Sequence, residues 1–97
     1  MLSPVEYVYD NAKSAWLRRQ RGLGFEEIIE YIDEGCALAI VHHPNQKSHF
    51  GQRIYEVNIE GYIYEVPFYE EGKKHILKTL YPSRKATKKH LDKGILL

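Results

Sequence analysis

The sequence has a single cysteine, Cys36, among its 97 residues. One cysteine excludes an intramolecular disulfide and a zinc site built from several thiolates. No cationic residue stands beside it in the sequence, so nothing indicates a catalytic thiol of low pKa. Cys36 is therefore predicted to be a small core residue at the start of a strand.

The sequence also lacks long apolar runs and a basic N-terminal stretch followed by an apolar one. No segment approaches the roughly 20 apolar residues that a membrane-spanning helix needs, and none has the form of a signal peptide. The length allows one core and one domain, over residues 1–97. The expectation is a cytoplasmic protein with no membrane association.

Positive charge is scarce in most of the chain and abundant at its end. Residues 1–71 carry 6 cations and 12 anions, whereas residues 72–97 carry 8 cations and 1 anion. A basic segment on an otherwise acidic chain suits contact with nucleic-acid phosphates. The alternatives are a solvated helix face, or a tail that docks on an acidic surface of this chain or of a partner.

The spacing of apolar and turn-forming residues predicts the order β-α-α-β-β-β-β-α. Asp10 and Ser83 are the expected N-caps of the first and last helices. The strands follow one another through short turns, which implies an α+β fold with a four- to five-stranded, mainly antiparallel sheet and helices on one face. The predicted elements are a strand at 5–9, a helix at 11–21, a helix from 25 to Gly35, strands at 36–41, 53–59, 62–69 and 75–81, and a basic helix at 84–93. Residues 42–52 are predicted to form a long loop and residues 95–97 a short apolar tail.

Glu60-Gly61 has the form of a two-residue hairpin turn. This turn would place Glu56 directly opposite Glu65 on one sheet face, where two carboxylates repel each other. Lys78 on the following strand is a candidate to relieve that repulsion. The opposite face would be apolar and would carry Tyr55, Val57, Ile59, Tyr62, Tyr64 and Val66.

Three of the five histidines, His42, His43 and His49, fall in the predicted loop. Their spacing is not that of a helical metal site and the loop has no acidic residue, so neither a metal site nor a cofactor is predicted. An imidazole near a basic segment suits general acid–base catalysis on RNA. His49 is the candidate, because it closely precedes the strand that carries Arg53; a surface histidine without a role is the alternative.

The run LYPSRKATKK at residues 80–89 resembles the signature of the BrnT-like toxins of bacterial toxin–antitoxin pairs. Members of that family have a strand ending in an aliphatic-Ser-Ala segment, followed by Arg-Lys-Ala-Thr and further basic residues on a helix. The segments YDN at 9–11 and GFEE at 24–27, together with Arg53, also resemble family positions. The resemblance covers about residues 6 to 91.

This resemblance implies a RelE-like fold and a metal-independent endoribonuclease. It also implies a small DNA-binding antitoxin, expected to be of the ribbon-helix-helix type, that covers the active face in a hetero-oligomer. Carried over to this chain, Arg53 and Arg84 would be active-site cations that meet over one phosphodiester. Lys88 and Lys89 would be phosphate contacts.

RNA cleavage by attack of the 2′-hydroxyl requires a base, a group that stabilises the phosphorane and an acid. Arginine suits the second task, since its planar fork matches phosphate oxygens, but it does not exchange protons readily. His49, Glu65 and Tyr81 are the candidates for proton transfer. The predicted RNA-binding set is Lys78, Lys85, Lys88 and Lys89.

The sequence departs from the family pattern at four places. Gln52 replaces a glutamate common before the strand arginine, FYEE at 68–71 lacks a family cation, Pro82 interrupts the aliphatic-Ser-Ala run, and Gly24 replaces the usual serine N-cap. A noncatalytic RNA- or protein-binding module of the same fold, or a domain whose charges are only surface decoration, remains an alternative. Convergence of Arg53 and Arg84 on one cleft is the geometry that favours the enzyme.

Overall fold

The computed structural model describes residues 4–94, in which the predicted element order is confirmed with one strand more. The additional strand arises because the predicted last strand is divided in two. The predicted tail at 95–97 lies outside the described residues. Within residues 4–94, no helix is both long enough and apolar enough to cross a membrane. The elements are β1 Glu6–Val8, α1 Asn11–Arg21, α2 Phe25–Asp33, β2 Ala37–His42, β3 Arg53–Ile59, β4 Tyr62–Glu71, β5 Lys74–Leu77, β6 Tyr81–Pro82 and α3 Arg84–Asp92.

The strands form one mixed sheet in the order β1-β5-β4-β3-β2, and β6 pairs with β4 beyond the end of β5. All pairs are antiparallel except β1 with β5, which is parallel. A parallel pair needs a long connection, and most of the chain separates β1 from β5. The α+β class and the mainly antiparallel sheet are therefore as predicted.

The β3–β4 hairpin has the predicted turn and register. Glu60 and Gly61 both have positive φ, 52° and 93°, which is the type I′ geometry of a two-residue hairpin. The Asn58 Oδ1 accepts a hydrogen bond of 2.8 Å from the Gly61 backbone N–H. Glu56 is paired with Glu65, so the two carboxylates start from adjacent positions on one face of the sheet.

A β-bulge divides the predicted last strand. Phe68 pairs with Leu77 and Glu65 pairs with Tyr81, so three residues, 78–80, stand opposite two residues of β4. One of those two is Pro67, which has no N–H to donate to a neighbouring strand. The extra residue reverses the alternation of side chains. Leu80 consequently enters the core, where it is fully buried, and Tyr81 points to the opposite face.

The helices cover both faces of the sheet, so the prediction that they pack on one face is wrong. On the first face, Leu17 of α1 and Phe25 of α2 pack with Val57 and Phe68. On the second face, Ala86 of α3 packs against Ile63, with Leu38 beside them. Apolar alternation along β3 and β4 identified the first face, but the second face is less apolar and gave no comparable signal.

The predicted caps and the predicted position of the cysteine are confirmed. The Asp10 carboxylate accepts a hydrogen bond from the Lys13 backbone N–H at 2.9 Å, and the Ser83 hydroxyl accepts one from that of Ala86 at 3.1 Å. Cys36 lies directly before β2, is half-buried and packs against the core beneath α1 and α2.

The start of α2 is capped from a neighbouring helix, which explains a glycine where a serine was expected. The Ser14 hydroxyl of α1 accepts a hydrogen bond of 2.8 Å from the Phe25 backbone N–H and donates one of 2.6 Å to the Glu26 carboxylate. The Glu27 carboxylate accepts one of 2.6 Å from the Gly24 backbone N–H. The Ser14 hydrogen bond is the main cause that lowers the pKa of Glu26 to about 2.

This cap leaves no room for a side chain at position 24. A Cβ on Gly24 would lie 2.6 Å from the Ser14 hydroxyl oxygen and 2.7 Å from Nη2 of Arg18. Arg18 is exposed and can move, but Ser14 is buried and held by two hydrogen bonds. We therefore expect Gly24→Ala to lower the free energy of unfolding by about 1–3 kcal/mol, measured by urea denaturation. Glu30→Ala, at an exposed position of the same helix, is the control, and an equal stability of both variants would contradict this account.

Candidate active site

A cavity of about 480 Å³ opens on the second face of the sheet, between α3 and the end of the sheet that carries the 43–52 loop. Its floor is formed by side chains of β2 and β3, and its walls come from β4, β6 and α3. Acidic, basic and phenolic groups therefore converge on one concave surface. The lining residues are Val41, Pro44, Ile54, Glu56, Glu65, Tyr81, Ser83, Lys85, Ala86 and Lys89.

The Ser-Arg-Lys-Ala-Thr run fixes α3 over this cavity. The Thr87 hydroxyl donates a hydrogen bond of 2.7 Å to the Ser83 carbonyl and accepts one of 2.8 Å from the Ile63 backbone N–H. The Ser83 backbone N–H in turn donates to the Ile63 carbonyl at 2.8 Å, and Ala86 is buried against the sheet. The small and hydroxylated residues of the motif thus attach the helix to β4.

The cationic residues of the same run face outward. Arg84, Lys85 and Lys88 are exposed, and none of them forms an ion pair with another residue of the described part of the chain. Lys85 also lines the cavity. Their charges therefore remain available to an anionic ligand.

Glu56 is buried beneath α3, with an exposed fraction of 3%. Its carboxylate accepts a hydrogen bond of 2.7 Å from Nε2 of His90, and Nζ of Lys89 approaches its two oxygens at 2.7 and 2.8 Å. Burial by itself would raise the pKa of Glu56, but the contacts to Lys89 and His90 outweigh it and the pKa is lowered. This cluster is an ionic link between the helix and the centre of the sheet.

The link corrects the prediction for Lys78. The cation that faces the glutamate pair is Lys89 of α3, whereas Lys78 is an exposed residue of the bulge and does not line the cavity. His90 contacts Glu56 through Nε2, and its buried Nδ1 has no hydrogen-bond partner among residues 4–94.

Glu65 and Tyr81 are cross-strand partners on β4 and β6, and both line the cavity. Burial raises the pKa of Tyr81 to about 12, and the neighbouring Glu65 carboxylate is the second cause. Tyr81 therefore keeps its proton at neutral pH. The pair places a proton donor beside a carboxylate that is half-buried, which is the arrangement that acid–base chemistry requires.

Arg53 lies on the other side of the sheet. Its guanidinium is 5.4 Å from the centre of the Phe68 ring and forms an ion pair of 2.9 Å with Glu70. Phe68 belongs to the core beneath α1 and α2, whereas Arg84 begins a helix on the second face. Arg53 pairs with Phe68 of β4, whereas α3 begins beside Ile63 of the same strand. These two positions on β4 are five residues apart, or about 16 Å. The predicted meeting of Arg53 and Arg84 over one phosphodiester is therefore wrong.

His49 does not line the cavity either. Its ring stacks on that of His43 in the 43–52 loop, with 3.9 Å between ring centres. Of the residues predicted from the sequence, the structure brings together Glu65, Tyr81, Lys85 and Lys89. Arg84 and Lys88 lie on the same helix outside the lining, and Arg53, His49 and Lys78 lie elsewhere.

Sequence analysis missed His90, and it predicted no helix over the sheet face that carries Glu56 and Glu65. A signal for His90 existed, because it stands one helical turn after the small residue Ala86 and so shares its inward face. Within the described range of 4–94, no group of three histidine, cysteine or acidic side chains is placed to hold a metal ion.

Comparison with known proteins supplies no relative for this chain. No family model, no curated protein and no solved structure matches it.

Proposed function

We propose that this chain is an endoribonuclease toxin of a bacterial toxin–antitoxin pair, with its active site in the cavity beneath α3. The observation that carries the proposal is the Glu65–Tyr81 pair in a cavity that Lys85 also lines, with no ion-pair partner for Lys85 among residues 4–94. These three groups match the three tasks of RNA cleavage by 2′-hydroxyl attack. The site replaces the two-arginine arrangement expected from the sequence.

In this mechanism the Glu65 carboxylate accepts the proton of the RNA 2′-hydroxyl. The 2′-oxygen forms a bond to phosphorus, and the bond from phosphorus to the 5′-oxygen breaks. Tyr81, which keeps its proton at neutral pH, donates that proton to the departing 5′-oxygen. The proton on Glu65 then returns to the Tyr81 oxygen, which restores the starting state and leaves a 2′,3′-cyclic phosphate.

The positive charge for the phosphorane comes from α3. Lys85 lines the cavity without an ion-pair partner in the described chain, while Lys89 reaches it as part of the contact with Glu56. Arg84 and Lys88 lie on the same helix, exposed, where neighbouring phosphates of an RNA strand would pass. The N-terminal end of a helix also favours an anion. The cations therefore bind the RNA backbone, and Lys85 acts closest to the reacting phosphate.

Removal of these lysines is expected to change the salt dependence of RNA binding. Each phosphate contact to single-stranded RNA contributes about 0.7 to the slope of log affinity against log salt concentration. We expect Lys85→Gln and Lys88→Gln each to reduce the slope by about that amount. Lys74→Gln, which removes the same charge from β5, is the control. A slope that is equal in all four proteins would exclude α3 as the RNA contact.

A noncatalytic RNA-binding module is the second candidate, and the position of Arg53 favours it. With Arg53 on the opposite face, the cavity has no guanidinium among its lining residues to hold the phosphorane bidentately. The two functions differ in one measurement. Incubation of labelled RNA with the protein yields 2′,3′-cyclic phosphate ends if the chain is a nuclease, and intact RNA at full binding if it is not.

The proposed partner is a small DNA-binding antitoxin of the ribbon-helix-helix type that covers the α3 face. An acidic segment of the antitoxin would meet Arg84, Lys85 and Lys88 there. Co-expression with the product of a short neighbouring reading frame tests this, since the partner is expected to co-purify and to suppress RNA binding. Co-purification that is unchanged by Lys85→Glu would place the partner elsewhere on the molecule.

A further inference from the structure

The 43–52 loop joins β2 to β3, and the Gln46 side chain bridges its two ends. The Gln46 amide nitrogen donates to the carbonyls of His43 at 2.7 Å and Gln52 at 3.3 Å, and its oxygen accepts from the Gly51 N–H at 3.1 Å. The His49 backbone N–H donates to the Asn45 carbonyl at 3.0 Å. Although the loop is polar and long, these bonds give it a defined shape.

Phe50 protrudes from this ordered loop. Its side chain is 85% exposed, the largest value among the large apolar residues that the structure describes as exposed. Because the ring stays in water, it gives the folded chain almost no hydrophobic free energy of burial. The ring is thus positioned by an organised loop, yet it contributes little to the stability of this domain.

The loop also forms the rim of the α3 cavity. Pro44 of the loop and Val41, near the end of β2, both line the cavity together with Lys85. The loop contains Lys47 and no acidic residue, so it does not repel a phosphate backbone that leaves the cavity. Phe50 does not line the cavity itself, but the loop that carries it borders the cavity through Pro44. Proteins hold single-stranded nucleic acid by combining a cationic groove with exposed aromatic rings on which bases stack.

We infer that Phe50 is a base-stacking residue for single-stranded RNA whose phosphates lie in the α3 cavity. The inference rests on the proposed function and adds the substrate class, because bases in a duplex are stacked on each other and cannot reach a phenyl ring. Stacking is sequence-tolerant, since every base has a π-face. An apolar pocket on a protein partner is the competing occupant, which the test below distinguishes.

The test uses two labelled oligonucleotides of about 12 nucleotides, oligouridylate and an abasic strand with the same phosphates. Phe50→Ala is expected to weaken binding of oligouridylate by about 5- to 100-fold, the range for loss of one stacked base. It is expected to leave binding of the abasic strand unchanged. Phe50→Trp is expected to bind oligouridylate at least as tightly as the wild type, and Lys85→Gln to weaken binding of both strands.

The outcomes separate this inference from the proposed function. If the wild type binds neither oligonucleotide, both fail. If it binds oligouridylate and Phe50→Ala binds it equally well, the stacking role is excluded and RNA binding by α3 stands. Phe50→Leu is the matched apolar control, because an aliphatic side chain fills a protein pocket but stacks poorly on a base. Full binding of oligouridylate by Phe50→Leu would therefore also overturn the inference.

Discussion

Replacing Glu65 by glutamine is expected to slow RNA cleavage by about 100- to 10,000-fold, the usual contribution of a general base. Glutamine keeps the shape of the side chain but cannot accept the proton of the 2′-hydroxyl. Binding of the uncleaved RNA is expected to stay near the wild-type level, because the cations of α3 are untouched. Single-turnover cleavage of labelled RNA, with detection of the cyclic phosphate end, measures the effect directly.

Tyr81→Phe and Arg53→Gln complete that experiment. Tyr81→Phe removes the proton donor and is expected to slow cleavage to a similar degree. Arg53→Gln removes a charge from the opposite face of the sheet, so its cleavage rate is expected to be that of the wild type. Loss of cleavage in Arg53→Gln, with full cleavage in Glu65→Gln, would place the active site on the other face.

Replacing Glu56 by alanine is expected to lower the free energy of unfolding by about 3 kcal/mol, within the range for breaking a buried ion pair. The change leaves His90 buried without its partner and releases Lys89 from the sheet. Urea denaturation measures the loss. Glu71→Ala, at an exposed position of β4, is the control and is expected to have nearly wild-type stability.

The same contact predicts how the stability depends on pH. The pKa of Glu56 lies below its ordinary value of 4.5 in the folded chain. The carboxylate therefore stabilises the fold above that pH, and this contribution is lost as the pH falls through the lower folded-state pKa. On acidification below about 4.5, the wild type is expected to lose more stability than Glu56→Ala. Parallel pH profiles for the two proteins would show that the pKa of Glu56 is the same in the folded and the unfolded chain, and would contradict this prediction.

The features that sequence analysis predicted correctly depend on neighbouring residues. Asp10 and Ser83 cap helices because a short polar side chain reaches backbone N–H groups only a few residues away. The turn at Glu60-Gly61 fixes the register of two strands because it leaves one way to pair them. Such features need no knowledge of the remaining fold.

The position of Arg53 could in part have been predicted. Residues 53, 55, 57 and 59 alternate on β3, so Arg53 shares the face of Tyr55 and Val57, which was expected to lie against the helices. What the sequence did not indicate is that α3 packs on the opposite face from α1 and α2. That choice depends on Ile63, Ala86 and the buried Glu56, which meet only in the folded chain.

The Glu65–Tyr81 pair was also hidden, since an unbroken strand from 75 to 81 would place Tyr81 on the core side. The bulge at residues 78–80 is what turns the phenol toward the carboxylate. The site thus depends on how many residues separate Leu77 from Tyr81. Deleting one of the three would leave two residues opposite two, so an unbulged strand would still pair Tyr81 with Glu65. The orientation of the phenol therefore depends on the bulge as long as three residues separate Leu77 from Tyr81.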